Sequence, residues 1–154
     1  MKMIGNGAAT KIIVDIFMTV FLVLSFVRWE DSHFAFHAIV GTVCALFFTL
    51  HVCIHLRWLR AVTKSFLGGK LNKPQKWKYA IDVLLLAVWS ISVFTGFLAI
   101  GYFSFGIGNM ARFSGLHAVT SRIGLVLVAI HVFQHIPQIK SYFGIKNKPQ
   151  ESRT

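Results

Sequence analysis

Four long apolar stretches leave this chain little choice of fold. They run roughly Lys11–Arg28, Phe34–Arg57, Tyr79–Phe103 and Phe113–Ile136, each near the ~20 residues that a helix needs to cross a bilayer. A backbone in hydrocarbon must satisfy its own polar groups, so such stretches become α-helices. Only 14% of the residues are charged and 55% are hydrophobic, with a mean hydropathy of +0.64, whereas a soluble domain is about a quarter charged. Little chain remains between the stretches. The expectation is one integral-membrane domain over residues 1–154, an all-α polytopic four-helix bundle with a tail at 140–154.

A net charge of +11 suggests nucleic acid in a soluble protein, but its placement here points to a membrane and to no nucleic acid. Lys2 and Lys11 precede the first stretch. Arg57, Arg60, Lys64, Lys70, Lys73, Lys76 and Lys78 fill the region between the second and third, and Lys140, Lys146, Lys148 and Arg153 follow the fourth. The other two connections hold Arg28 and Arg112, beside Glu30 and Asp31. The positive-inside rule puts both termini and the 57–78 loop in the cytoplasm. Trp29 and Tyr102 then belong to an outer aromatic belt, and Trp58, Trp77, Tyr79 and Tyr142 to an inner one. The first stretch lacks a small-residue cleavage site and reads as a retained helix rather than a signal peptide. Cys44 and Cys53 lie in the second stretch as small core residues, and no C-x-x-C-H is present for covalent haem attachment.

Within these stretches a histidine pattern occurs twice. His37, His51 and His55 recur eighty positions later as His117, His131 and His135. An ionisable side chain in a membrane span is expensive and marks a functional site. A helix turns 100° and rises 1.5 Å per residue, so the fourteen residues from His37 to His51 fall about 40° short of four turns and cover ~21 Å. His37 and His51 therefore share a face at two depths, as do His117 and His131. The first and third stretches open alike, Lys11-x-x-x-Asp15 and Lys78-x-x-x-Asp82, which predicts two repeated helical hairpins. In that arrangement the second and fourth helices run parallel, and facing imidazoles at each level supply both axial ligands of a haem iron.

His55 and His135 lie one turn, about 6 Å, below His51 and His131, too close for each layer to hold its own haem. Spacing permits either layer to serve the inner haem. His51 and His131 are favoured as the pair farther from the aqueous edge, leaving His55 and His135 for propionates or a quinone head group. Asp15 and Asp82, about one turn inside their helices, read either as partners that fix an imidazole tautomer or transfer protons, or as helix-start residues favoured by the dipole. Arg122, ~7.5 Å deeper than His117, reads as a buried guanidinium that wants an anion such as a haem propionate. Gly41, Ser121 and Gly124 are small enough for a porphyrin to approach, and equally serve helix packing. His33 reads as a solvated loop histidine. The outer turn Gly101–Ser114, with Gly101, Gly106 and Gly108, reads as either a partner or substrate mouth or an ordinary loop.

Paired His-x13-His motifs on two helices of a four-helix unit resemble the di-haem core of the cytochrome b superfamily. The phrase His37-x3-Gly41…His51-x3-His55-x2-Trp58, repeated imperfectly from His117, is more narrowly similar to the prokaryotic flavinylation-associated cytochromes, over about residues 11 to 143. Two departures stand in the second repeat: Ser121 replaces the glycine, and His135 leads into Pro137 rather than a tryptophan. The resemblance implies b-type haems held non-covalently by His37/His117 and His51/His131. It also implies electron transfer between a quinone pool and an extracytoplasmic redox partner, across a prokaryotic cytoplasmic (inner) membrane. Such a chain works as an oxidoreductase in its own right or as the cytochrome subunit of a larger redox complex. The alternative is a transition-metal-binding membrane protein or transporter, using His-x3-His twice with Asp15 and Asp82; it leaves His37 and His117 unexplained. A purely structural role leaves all six histidines unexplained.

Overall fold

The computed structural model describes residues 6–27, 33–100 and 110–142. They form four helices: α1 (Asn6–Ser25), α2 (His33–Leu67), α3 (Lys73–Ile100) and α4 (Met110–Tyr142). Three of these contain spans long and apolar enough to cross a membrane, Ala35–Leu67, Lys73–Ile100 and Phe113–Ser141, which marks the chain as a helical membrane protein. Their apolar side chains point outward as readily as inward: Ile39 is 66% exposed, Phe94 61% and Phe133 75%. In water that would forfeit the burial of each side chain, whereas facing lipid it costs nothing.

The chain divides into two compact units, Met1–Leu71 and Asn72–Thr154, each a pair of packed helices. In the first, Val14 and Leu22 of α1 and Val40, Cys44 and Ala45 of α2 are buried. The Cys44 thiol donates to the Met18 carbonyl at 3.8 Å, and Phe17, Phe21 and Phe47 stack with ring centroids 5.3 to 6.4 Å apart. Cys44 is thus the small core residue expected, while Cys53 is exposed. In the second unit Ile81 and Leu127 are buried, together with Ser92 and Thr95. The Thr95 hydroxyl bonds back to the Ile91 carbonyl at 2.8 Å, so its burial leaves no polar atom stranded.

Helix ends differ from the sequence expectation. The apolar run stops at Arg57, yet α2 continues to Leu67, and α3 begins at Lys73 rather than Tyr79. The expected 57–78 loop shrinks to residues 68–72, because hydropathy marks where a helix leaves lipid and not where it ends. Arg, Leu, Ala and Lys are good helix formers. Backbone chemistry sets the actual turn. Gly69 takes a left-handed φ of 68°, and the N–H groups of Gly69 and Lys70 donate to Phe66 and Ser65 carbonyls at 3.0 Å each, a Schellman ending. Asn72 and Gln75 then cap each other reciprocally, the Gln75 N–H to Asn72 Oδ1 at 3.0 Å and the Asn72 N–H to Gln75 Oε1 at 3.1 Å. Likewise α4 runs through Pro137 to Tyr142 instead of stopping at Ile136, so the 140–154 tail starts helical. His33 opens α2 rather than sitting in a loop. Of the expected outer turn Gly101–Ser114, residues 110–114 belong to the start of α4, because the backbone turns helical ahead of the apolar run; residues 101–109 and those beyond 142 lie outside the described residues.

Replacing Gly69 by Ala is expected to destabilise the protein by about 1–2 kcal/mol, because a Cβ crowds the left-handed backbone. Asn72→Ala is expected to cost ~1 kcal/mol through loss of the cap. Thermal unfolding in one fixed detergent, followed by circular dichroism, measures both.

Candidate functional site

Each unit presents its histidines from its second helix and the acceptors that hold them from its first. In the first unit the His37 Nδ1–H donates to the Ser25 carbonyl at 2.8 Å. Ser25 is the last residue of α1, where a carbonyl has no helical N–H to accept. Deeper, the His51 Nδ1–H donates to Asp15 Oδ1 at 2.6 Å. The second unit repeats both contacts: His117 Nδ1–H to the Ser92 carbonyl at 2.8 Å and His131 Nδ1–H to Asp82 Oδ1 at 2.7 Å. A main-chain carbonyl or a carboxylate accepts, so at all four rings Nδ1 carries a proton, which leaves Nε2 as the nitrogen that offers a lone pair when the imidazole is neutral.

The other two histidines of the repeated pattern, His55 and His135, lie beside the deeper pair. His51 and His55 have ring centroids 4.7 Å apart, and His131 and His135 4.6 Å apart. His135 directs its Nε2 toward Asp82 Oδ2 at 3.6 Å, within ion-pair reach but beyond a hydrogen bond, so one carboxylate bonds His131 and stands beside His135. Asp15, His51 and His55 form one close group of potential metal ligands and Asp82, His131 and His135 another, with ligand atoms within 4.8 Å of one another.

The two carboxylates are deeper in their helices than the sequence suggests. Because α1 starts at Asn6 and α3 at Lys73, Asp15 and Asp82 lie roughly two and a half turns inside rather than one. A dipole benefit fades within the first turn, so the helix-start reading does not apply to them; the imidazole contacts explain their position. Their surroundings differ. The Asp15 side chain is 45% exposed and that of Asp82 only 8%. Near Asp82 the Lys78 ammonium donates to the Gln134 carbonyl at 3.3 Å, and both side-chain amide atoms of Gln134 are buried without a hydrogen-bond partner among the described residues. The corresponding position in α2 is Ile54.

Of the other sequence candidates, Arg122 is exposed rather than buried, as expected of a guanidinium that escapes an apolar helix face. A side chain at Gly41 would meet nothing within 4 Å, whereas one at Gly124 would meet the Trp89 indole nitrogen at 3.2 Å; the bare backbone at Gly124 thus lets α3 and α4 approach. Ser121 shares a hydrogen bond with Ser92 between their hydroxyls at 2.7 Å and lies 3.5 Å from His117 Nε2.

Three residues of the site escape sequence reasoning. Ser25 and Ser92 act through main-chain carbonyls, which no side-chain motif reports. Their signal is positional: they stand sixty-seven residues apart, as do Lys11 and Lys78, and Asp15 and Asp82. Gly96 is the third. A Cβ there would stand 3.1 Å from both Cε1 and Nδ1 of His117, so glycine lets the imidazole reach the α3 backbone. Comparison with protein-family models, curated proteins and solved structures finds no match to this chain.

Asp82→Ala strips the hydrogen-bond acceptor from His131 and the nearby carboxylate from His135 at a nearly buried site, and is expected to cost about 1–3 kcal/mol of stability. Asp15→Ala, at a half-exposed site, is expected to cost less than about 1 kcal/mol. Side-by-side unfolding of the two variants reads the difference, and equal losses would contradict the asymmetry.

Proposed function

We propose that this chain is a membrane cytochrome b holding two non-covalent b-type haems and moving electrons between a quinone pool and an extracytoplasmic redox partner. The carrying observation is the common setting of His37, His51, His117 and His131. Each donates its Nδ1–H to an acceptor on the preceding helix. That contact fixes the ring, raises its basicity and puts the ligating lone pair on Nε2, the arrangement of an axial ligand. In this reading the outer haem would be held by His37 with His117 and the inner one by His51 with His131. His135 turns its Nε2 toward Asp82, which favours His131 over His135 as the inner ligand.

Bound haem supplies reversible one-electron oxidation and reduction. The chain's own residues hold it and set its surroundings. Asp15 and Asp82 keep the inner imidazoles strongly donating, and the Ser25 and Ser92 carbonyls give the outer pair a weaker acceptor. Open space beside Gly41 admits a flat ring, Ser121 stands close to His117, and the exposed Arg122 offers a cation to a propionate. In this reading α1 also crosses the membrane, and the two units are repeated hairpins of a four-helix bundle. Both termini face the cytoplasm of a prokaryotic cell. His55 and His135 are left to meet propionates or a quinone head group. The resemblance to the flavinylation-associated cytochromes points the same way.

One observation favours a second reading: each Asp/His/His group brings three potential ligands within 4.8 Å, a set suited to a divalent transition metal. It gives no role to His37 and His117, whose rings are held in the same way.

The distinguishing experiment replaces each histidine singly by alanine and counts haem per chain after expression with ample haem. Loss of about one haem on His37→Ala, His117→Ala, His51→Ala or His131→Ala, and retention on His55→Ala and His135→Ala, is the expected pattern. If His55→Ala loses the inner haem and His51→Ala keeps it, the inner ligands are the other layer. Stoichiometric zinc with no haem would replace the cytochrome by the metal reading.

A further inference from the structure

We propose that the end of α2 beyond Arg57 is a binding surface for an anionic phospholipid, with Arg60 and Lys64 holding the phosphate and Leu59, on the bilayer side of both, meeting the start of the acyl chain. α2 has 35 residues and is therefore ~52 Å long, against the ~30 Å hydrocarbon thickness of a bilayer. Its apolar segment closes at Arg57, so Arg60 and Lys64 stand roughly 4.5 and 10 Å further along the axis, at head-group depth. Four residues apart, they share one face. Beside them Leu59, Thr63 and Leu67 form an adjacent row, and the two rows line an open groove of about 440 Å³.

Charge selects the occupant. Between residues 32 and 81 the chain has seven Lys or Arg and no Asp or Glu, so the stretch around Arg60 and Lys64 carries no carboxylate of its own. A phosphodiester matches the guanidinium fork and the ammonium beside it, and its acyl chain runs back past Leu59 into the hydrocarbon. At head-group depth a lipid phosphate is the anion already at hand, and clustered Lys and Arg there attract anionic lipid. Trp58, 45% exposed, lies at the same level, where indole rings anchor to the interface. The proposal needs only the membrane location of α2 and not the haem reading.

The test uses the full-length protein in detergent, offered phosphatidylglycerol or phosphatidylcholine of identical acyl chains, with retained lipid counted by native mass spectrometry. Preferential retention of phosphatidylglycerol is expected. Arg60→Gln with Lys64→Gln is expected to weaken it about twenty-five-fold, each interfacial charge being worth about five-fold. Lys73→Gln with Lys76→Gln, an equal charge change off the groove, is expected to change it far less. Circular dichroism of both variants checks that the helices are intact. Equal retention of the two lipids, or equal losses in the two double variants, overturns the proposal. So does retention of short polyglutamate as tight as that of the lipid, which would make the surface one for an acidic protein.

Discussion

The structure turns on a hydrogen bond between an imidazole Nδ1–H and an acceptor on the neighbouring helix, made four times. In a lipid-facing helix a histidine without a partner carries a desolvation cost of a few kcal/mol. The partner removes that cost and orients the ring. It also joins the two helices of a unit, at Ser25 and Asp15 in one and at Ser92 and Asp82 in the other. Aliphatic packing does not discriminate lipid from protein as it discriminates water from protein, so these polar contacts give each pair its register.

The two acceptor types are chemically unequal. A main-chain carbonyl withdraws little from the imidazole proton, while a carboxylate pulls on it and makes the ring a stronger donor to whatever its Nε2 meets. Both units place the carbonyl at one depth and the carboxylate at the other. That ordering supports a chain with two sites of different potential. The units then diverge at the carboxylate level: the Asp82 side chain is 8% exposed and pairs with both His131 and His135, whereas that of Asp15 is 45% exposed, and the residue matching Gln134 in the first unit is Ile54.

Much of this was legible in the residues. Apolar runs located the membrane crossings of α2, α3 and α4, since lipid imposes hydrophobicity all round a helix. The His-x13-His spacing placed His37 and His51 on one face, since helical geometry is nearly invariant. Helix ends were not legible, because Arg57–Leu67 and Lys73–Lys78 are helical without being apolar, and the stop depends on the φ of Gly69 and the Asn72–Gln75 cap. That error moved Asp15 and Asp82 too close to the helix start, which kept a dipole role level with the imidazole-partner role; the structure gives them the latter, with His51 and His131. Ser25, Ser92 and Gly96 were invisible for another reason: they work through a carbonyl oxygen or the lack of a Cβ. The burial expected of Arg122 failed because depth along an axis says nothing about which side of the helix faces outward.

The central claim, that these rings are preorganised haem ligands, is most directly tested on the purified wild-type chain. A reduced-minus-oxidised visible spectrum, paired with a pyridine haemochrome assay, gives ligand type and haem content together. A sharp low-spin b-type α-band with two haems per chain is the expected result. A chain that remains colourless after expression with ample haem would contradict it.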